Sequence, residues 1–324
     1  MQSASSLRAK RRTAPLFVHR LVDYLFASSV VVAASALLVV IAALGRGELV
    51  LALGFLAVAA LAGVGVRARF VVPFRIHVTR HDMTSIVQAH TARKPVRVCF
   101  FSDLHLGEYK RADWAQRVVD AVLALSPDVI LIGGDLVGLT DCCDLVDLLA
   151  PLAKLRAPQG VFAVLGNHDY GLPGPDHSEE LLRLLPNLGI RVLRNECVSL
   201  GDRLLVVGVD ELWANRDDVP RALRCCMPAQ APVIILGHNP DLLLRMEQQR
   251  SPHWPTPLIC LFGHTHHGQI YLPWLWRLTT PIRSRYCRGL YHSPLGWAYV
   301  SSGVGENTTP TRLNTKPEIV LLEL

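Results

Sequence analysis

The sequence predicts an α/β layered domain behind a two-helix membrane hairpin, and three observations carry that reading. Apolar, β-branched runs alternate with helical patterns from about residue 95 to residue 324. Five of those runs end on residues that bind hard metal ions. The first 70 residues hold two long stretches without a charge.

The strands come first. Residues 96–102 lead into Asp103, 128–132 into Gly133-Gly134-Asp135, and 161–165 into Gly166-Asn167-His168. Residues 233–236 lead into Gly237-His238, and 258–262 into Gly263-His264. Continuous β-branched and aromatic runs of this length read as strands buried on both faces. Ligands placed beyond their carboxyl ends follow the general rule for open α/β sheets. Between them, Trp114, Val118, Val122 and Leu125 recur at helical spacing among polar neighbours. A second helix is expected over 144–155, and a third over 179–185, before Pro186 and Gly189. A fourth is expected from near Pro240, with Asn239 as its N-cap. Further strands are expected at 75–78, 269–272, 298–302 and 318–322.

Singly, the polar residues at the strand ends mean little. A lone His is more often a hydrogen-bonded structural group than a ligand. Asp135 alone could be a turn residue and Asn167 alone a helix cap. Five such clusters, each behind the same kind of strand, instead point to one site for two divalent ions. Oxygen and imidazole donors without a thiolate suit such a pair rather than a structural zinc. His264 and His266, as alternate residues, can both reach one site, whereas His267 is expected to turn away, toward the surface or a substrate.

The motifs D-L-H (103–105), G-D (134–135), G-N-H-D (166–169), G-H (237–238) and G-H-T-H (263–266) together resemble those of the calcineurin-like metallophosphoesterases, over roughly 96–324. The G-H-T-H-x-G-Q form through Gln269, the later Ser302-Gly303-Val304-Gly305 and Pro317-Glu318-Ile319 are similar to the membrane-associated bacterial phosphodiesterase branch, which includes UDP-diacylglucosamine hydrolase-type enzymes. That family has Gly where His267 stands. The resemblance implies a four-layer αββα sandwich with two mixed sheets face to face. It implies that Asp103, His105 and His266 hold a first ion, that Asn167, His238 and His264 hold a second, and that Asp135 bridges them. It implies manganese as the ion, with iron, zinc and magnesium as alternatives.

Such a site is expected to hydrolyse a phosphodiester or pyrophosphate bond by metal-activated water. His168 is the expected catalytic side chain, protonating the leaving group or stabilising transition-state charge. Asp169 is expected to orient it or to cap the following turn. Arg283, Arg285 and Arg288 follow the G-H-T-H loop and are candidates for gripping a phosphate; Trp274 and Trp276 stand beside them. The substrate reading put first is a lipid-linked pyrophosphate such as UDP-2,3-diacylglucosamine, in lipid A synthesis. Broad phosphodiesterase or phosphatase action on soluble or protein substrates is the second. A metal-binding membrane scaffold without turnover is the third.

Residues 24–45 and 49–66 carry no charge, and Gly45-Arg46-Gly47-Glu48 makes a turn between them. They are expected to form an anchor over 1–70, followed by an entry segment over 71–94 and the catalytic domain over 95–324. Five basic residues precede the first stretch, Arg67, Arg69, Arg75 and Arg80 follow the second, and Arg46 alone lies between. Both ends and the catalytic domain are therefore expected on the cytoplasmic side of the inner membrane. The net charge of +6 belongs to this anchor: residues 1–80 hold ten Lys and Arg against two acids, the rest 23 against 25. That distribution excludes a basic track for nucleic acid. Eight cysteines, with Cys142-Cys143 and Cys225-Cys226 adjacent, are expected to be free thiols.

Overall fold

The computed structural model describes residues 4–87, 95–138, 144–226, 231–255, 258–272, 285–307 and 309–324. They form two compact units, one of residues up to 75 with 309–313, the other of 76–308 with 314–324.

In the first unit, α1 (Ala4–Gly45) and α2 (Leu49–Phe70) are joined by the turn at Arg46-Gly47-Glu48. Gly47 takes a left-handed φ of 75° there, a conformation glycine adopts freely. The stretches 27–45 and 49–74 are long and apolar enough to cross a membrane. Their packing is the reverse of a soluble hairpin. Ala36, Ala43, Ala52 and Ala59 are buried, while Leu37, Leu38, Ile41, Leu53 and Leu61 are exposed. Small residues between the helices and large apolar ones outside suit a lipid surround.

The second unit contains two six-stranded sheets. The first is built from β1 (His77–Asp82), β2 (Arg97–Phe101), β3 (Val129–Gly133), β4 (Val161–Val164), β5 (Arg191–Val192) and β12 (Glu318–Glu323), in the order β1-β12-β2-β3-β4-β5. The second is built from β6 (Glu196–Ser199), β7 (Leu205–Gly208), β8 (Val233–Leu236), β9 (Leu258–Phe262), β10 (Gly289–Ser293) and β11 (Gly296–Val300), in the order β10-β11-β9-β8-β7-β6. Both are mixed: β2, β3 and β4 run parallel with β12 antiparallel to β2, and β7, β8, β9 and β11 run parallel with β6 and β10 antiparallel at the edges.

Strand alternation sorts the side chains into layers. Val98, Phe100, Val129 and Leu131 of the first sheet share a core with Val206, Ile234, Ile259 and Leu261 of the second. On the other face of the first sheet, Cys99, Phe101, Ile130 and Ile132 pack against α4 (Ala112–Ala124), α5 (Leu145–Leu149) and α6 (Ser178–Asn187). On the other face of the second, Val207, Ile235 and Cys260 pack against α7 (Val219–Leu223) and α8 (Asp241–Gln248). A short α3 (Thr84–Val87) follows β1. The order is therefore helix, sheet, sheet, helix, the αββα sandwich that the family resemblance implies.

Several local expectations change. The single helix over 144–155 is instead α5 followed by a 3-10 segment, Ala150–Lys154. Pro151 lacks the N–H that would continue the α ladder. Asp144 caps α5 by accepting from Val146 N. The third helix runs past Pro186 to Asn187. Asn239 does accept from Asp241 N, but the N-cap position belongs to Pro240. No strand forms over 269–272, because His266, His267, Gly268 and Gln269 all have positive φ and turn the chain out of an extended path. Cys99, Cys226, Cys260 and Cys287 are free, but Cys197 is in a disulfide, against the expectation of free thiols throughout. Cys142 and Cys143 lie outside the described residues.

Candidate metal centre

The centre is assembled from loops beyond the carboxyl ends of β2, β3, β4, β8 and β9. The loops after β2, β3 and β9 turn sharply. Asp103, His105, Asp135, His264 and His266 all have φ between 44° and 67°, the left-handed region that costs an L residue ~1–2 kcal/mol. Such strain concentrated on five polar residues marks a site rather than a set of turns.

All seven sequence-identified ligand candidates meet here, and all are buried. One group is Asp103, His105 and His266. His105 Nε2 lies 3.0 Å from His266 Nε2, and Asp103 Oδ1 lies 3.5 Å from His266 Nε2. A second is Asp135, His238 and His264, joined by Asn167, and a third, His105, Asp135 and His168, overlaps both. Asn167 Oδ1 is 2.8 Å from His264 Nδ1 and 3.1 Å from His238 Nε2, and those two nitrogens are 3.2 Å apart. One oxygen, Asp135 Oδ2, stands 3.5 Å from His105 Nε2 and 3.2 Å from His238 Nε2. It therefore faces the first two groups.

The donor set fits divalent cations on its own chemistry. His238 Nδ1 donates to the Gly133 carbonyl at 2.7 Å, which turns the Nε2 lone pair inward. Asn167 Nδ2 donates to the Leu172 carbonyl, which turns Oδ1 inward. His238 Nε2, Asn167 Oδ1 and Asp135 Oδ2 thus converge as acceptors, an arrangement that is repulsive until a cation or a proton sits among them. Without a metal, the charges report the same competition. Burial pushes His238 down, but Asp135, with Asp103 and Glu211 behind it, lifts it well above the usual histidine range. Burial pushes Asp135 up, but His238 and His168 hold it well below the usual carboxylate range. Burial, then the His238 charge, lowers His264 to about 3, so its ring is neutral and able to ligate. Burial raises Asp103 to about 6.

Two glycines make room for the carboxylates. A Cβ on Gly166 would lie 2.1 Å from Asp135 Oδ1, and one on Gly263 would lie 2.3 Å from Asp103 Oδ2. His168 N donates to Asp135 Oδ1 at 2.9 Å, and its ring meets the His105 ring edge-on, centroids 4.9 Å apart. Among the described residues the Asp169 carboxylate makes no hydrogen bond to the His168 ring. Its Oδ1 accepts from Leu136 N and Val137 N and its Oδ2 from Gly166 N, which ties the G-N-H-D loop to the loop carrying Asp135. His267 is buried rather than outward: it holds a left-handed φ of 53°, which suits the glycine usual there, and its Nε2 donates to the Val300 carbonyl at 2.7 Å. Arg285 Nη2 donates to the Tyr286 hydroxyl, and the Arg288 guanidinium lies over the Tyr271 ring at 4.3 Å. Arg283, Trp274 and Trp276 lie outside the described residues.

Sequence reading missed three residues. Trp213 stands edge-on to His264 with ring centroids 4.5 Å apart. Glu211, fully buried, accepts from Trp213 N and is pushed by burial to about 7. Asn307 reaches His168 Nε2 at 3.1 Å. The first two carried the same signal as the others, since Asp210-Glu211 follow the strand β7.

Residues 96–268 match the family model described as calcineurin-like phosphoesterase. An uncharacterized metallophosphoesterase of Helicobacter pylori is 33% identical over 239 residues, 71% of this chain and 60% of that protein. The protein named phosphodiesterase YaeI of Escherichia coli is 32% identical, over 71% of this chain and 82% of its own length. A Danio rerio protein named transmembrane protein with metallophosphoesterase domain is 32% identical, over 71% of this chain and 53% of its own length.

Proposed function

We propose that this chain, which belongs to the calcineurin-like phosphoesterase family and is a metal-dependent phosphoester hydrolase, is anchored in the cell's inner membrane and cleaves a phosphodiester or pyrophosphate bond of a lipid-linked substrate. The observation that carries the reaction is Asp135 Oδ2, equidistant within 0.3 Å from two histidines of separate donor groups. Asp103, His105 and His266 would hold one ion, Asn167, His238 and His264 the other, with Asp135 shared; manganese is the ion proposed. A bound pair of dications supplies Lewis-acid neutralisation of phosphate charge and acidifies water.

The chain's own groups do the rest. Asp135 is held by His168 N, so the shared oxygen keeps its place. The burial of every donor excludes bulk water and strengthens each electrostatic contact. His168, beside the donors but outside both groups of histidine nitrogens just described, presents its ring to the oxygen at which charge builds.

The lipid-linked reading rests on two features. One is the pair of apolar helices. The other is an apolar fringe on the site loops: Leu172, Trp213 and Ile270 are 39%, 37% and 36% exposed. Leu172 supplies the carbonyl that orients Asn167, Trp213 abuts His264, and Ile270 follows the G-H-T-H loop. Exposed apolar side chains beside a polar centre suit a substrate with an apolar arm, such as a UDP-diacylglucosamine, better than a small soluble ester. The basic residues flanking the anchor favour a cytoplasmic catalytic unit. The Cys197 disulfide favours an oxidising side instead.

Purified full-length protein with manganese, assayed on a nucleotide-diphosphate lipid and on bis(p-nitrophenyl) phosphate, tests the proposal. Faster turnover of the lipid supports it. Turnover of the soluble diester alone assigns a broad phosphodiesterase. Metal binding without turnover of either leaves a scaffold.

A further inference from the structure

Residues 301–307, Ser-Ser-Gly-Val-Gly-Glu-Asn, form a strap across the back of the centre. Glu318 on β12 holds its start, accepting from Ser301 Oγ and Ser302 N. Val304 N donates to the Ser102 carbonyl at 2.9 Å and Gly305 N to the Asp103 carbonyl at 2.6 Å, so the strap runs along the D-L-H loop. A Cβ on Gly305 would lie 2.2 Å from the Leu104 carbonyl, which shows how closely the two backbones approach. Lys110 Nζ then donates to the Val304 carbonyl at 2.9 Å and pairs with Glu306 at 3.0 Å; both side chains are 3% exposed. Asn307 N donates to Gln269 Oε1 at 3.0 Å. A buried ion pair and six hydrogen bonds thus deliver one side chain, the Asn307 carboxamide, to His168.

The chemistry of that contact is directional. Asn307 Nδ2 is a donor only and lies 3.1 Å from His168 Nε2. With the carboxamide in this orientation, Nε2 is the accepting nitrogen and the ring proton sits on Nδ1. His168 Nδ1 is buried and has no hydrogen-bond partner among the described residues. A buried donor without a partner costs ~1–3 kcal/mol, a cost relieved when an acceptor arrives.

We infer that Asn307 is a positioning residue that holds the His168 ring through Nε2 and leaves its Nδ1–H free to face substrate, so that His168 serves the reaction as a hydrogen-bond donor to a phosphate or leaving-group oxygen. The inference rests on the hydrolase reading for its kinetic part only. No proton changes hands in this role: Nδ1–H donates to the oxygen as charge builds there and keeps its hydrogen.

The test uses the full-length chain, labelled with 15N-histidine and loaded with Mg2+, beside Asn307→Ala, Asn307→Asp, His168→Ala and the Asn307→Ala/His168→Ala double variant. His168→Ala assigns the resonances. The wild type is expected to show a protonated Nδ1 and a bare Nε2 across neutral pH. Asn307→Asp, which offers an acceptor, should move the proton to Nε2. With bis(p-nitrophenyl) phosphate and manganese, Asn307→Ala should lower kcat roughly 10-fold with KM unchanged, part of the ~10²–10³ that one oxyanion donor contributes. In the His168→Ala background it should lower kcat no further. A doubly protonated or Nε2-protonated His168 in the wild type overturns the inference, and so does a loss that adds to that of His168→Ala. A wild type without turnover on any ester sinks the hydrolase reading instead, and the spectra still decide the tautomer.

Discussion

Gly166→Ala probes the centre with a single methyl group. The new Cβ would sit 2.1 Å from Asp135 Oδ1 and 2.5 Å from Asp135 N. Ordinary contact begins at 3.4 Å, so the carboxylate must retreat by about 1.3 Å and the backbone by about 0.9 Å. Rotation of the side chain relieves the first clash but not the second, so the two loops themselves must part. Asp135 Oδ2 faces both donor groups within 3.5 Å, and a retreat of this size takes it out of reach of at least one. A misplacement of 1 Å costs ~10²-fold in rate, so kcat/KM should fall by about that factor or more. Bound metal should fall from two ions toward one or none. The assay pairs metal content by plasma mass spectrometry with turnover of bis(p-nitrophenyl) phosphate, and far-ultraviolet circular dichroism checks that the variant is folded. Gly201→Ala is the control: its φ of 71° brings strain, but a Cβ there meets nothing within 4 Å. It should lose at most ~1–2 kcal/mol of stability and no metal. A Gly166→Ala protein that keeps two ions and wild-type rate would refute the placement of Asp135.

Three further outcomes are expected. Glu211 is raised by burial from 4.5 to about 7, so the folded metal-free protein binds its proton more tightly than the unfolded chain does. Stability from this group is complete at low pH and falls as pH rises from about 4.5 to about 7, by ~3 kcal/mol at 1.36 kcal/mol per unit. Glu211→Gln should remove that slope, raising Tm at pH above about 7 and leaving it unchanged near 4.5; equal slopes in both proteins would contradict the burial argument. Lys110→Met leaves the buried Glu306 without its ammonium and should cost ~3–5 kcal/mol in chemical denaturation, against under ~1 kcal/mol for a solvated pair. A fluorescent protein fused to the carboxyl terminus should glow in the cytoplasm; a reporter active only outside would reverse the orientation and give the Cys197 disulfide a natural setting.

The strand-to-ligand pattern was legible because buried parallel strands need continuous apolar runs, and the functional residues follow them directly. That signal located Asp103, Asp135, Asn167, His238 and His264; Glu211 stands in the same way behind β7 and was missed. Asn307 was not legible, because its place depends on a strap packed through tertiary contacts, Lys110 with Glu306 and Gln269 with the Asn307 backbone. The 269–272 stretch looked like a strand because its side chains favour one; the run of positive φ from His266 to Gln269, imposed by gathering His264 and His266 into one centre, overrode that preference. Pro151 split α5 from its 3-10 extension for a local reason that was visible in the sequence. The buried alanines between α1 and α2 could be assigned to a face only once the two helices were seen together.

The central claim is a pair of ions sharing Asp135. Anomalous diffraction from crystals of the manganese-loaded protein tests it directly. The account requires two peaks ~3.5–4 Å apart, one against Asp103, His105 and His266, the other against Asn167, His238 and His264, with Asp135 between them. A single peak, or two peaks that Asp135 does not touch, would contradict it.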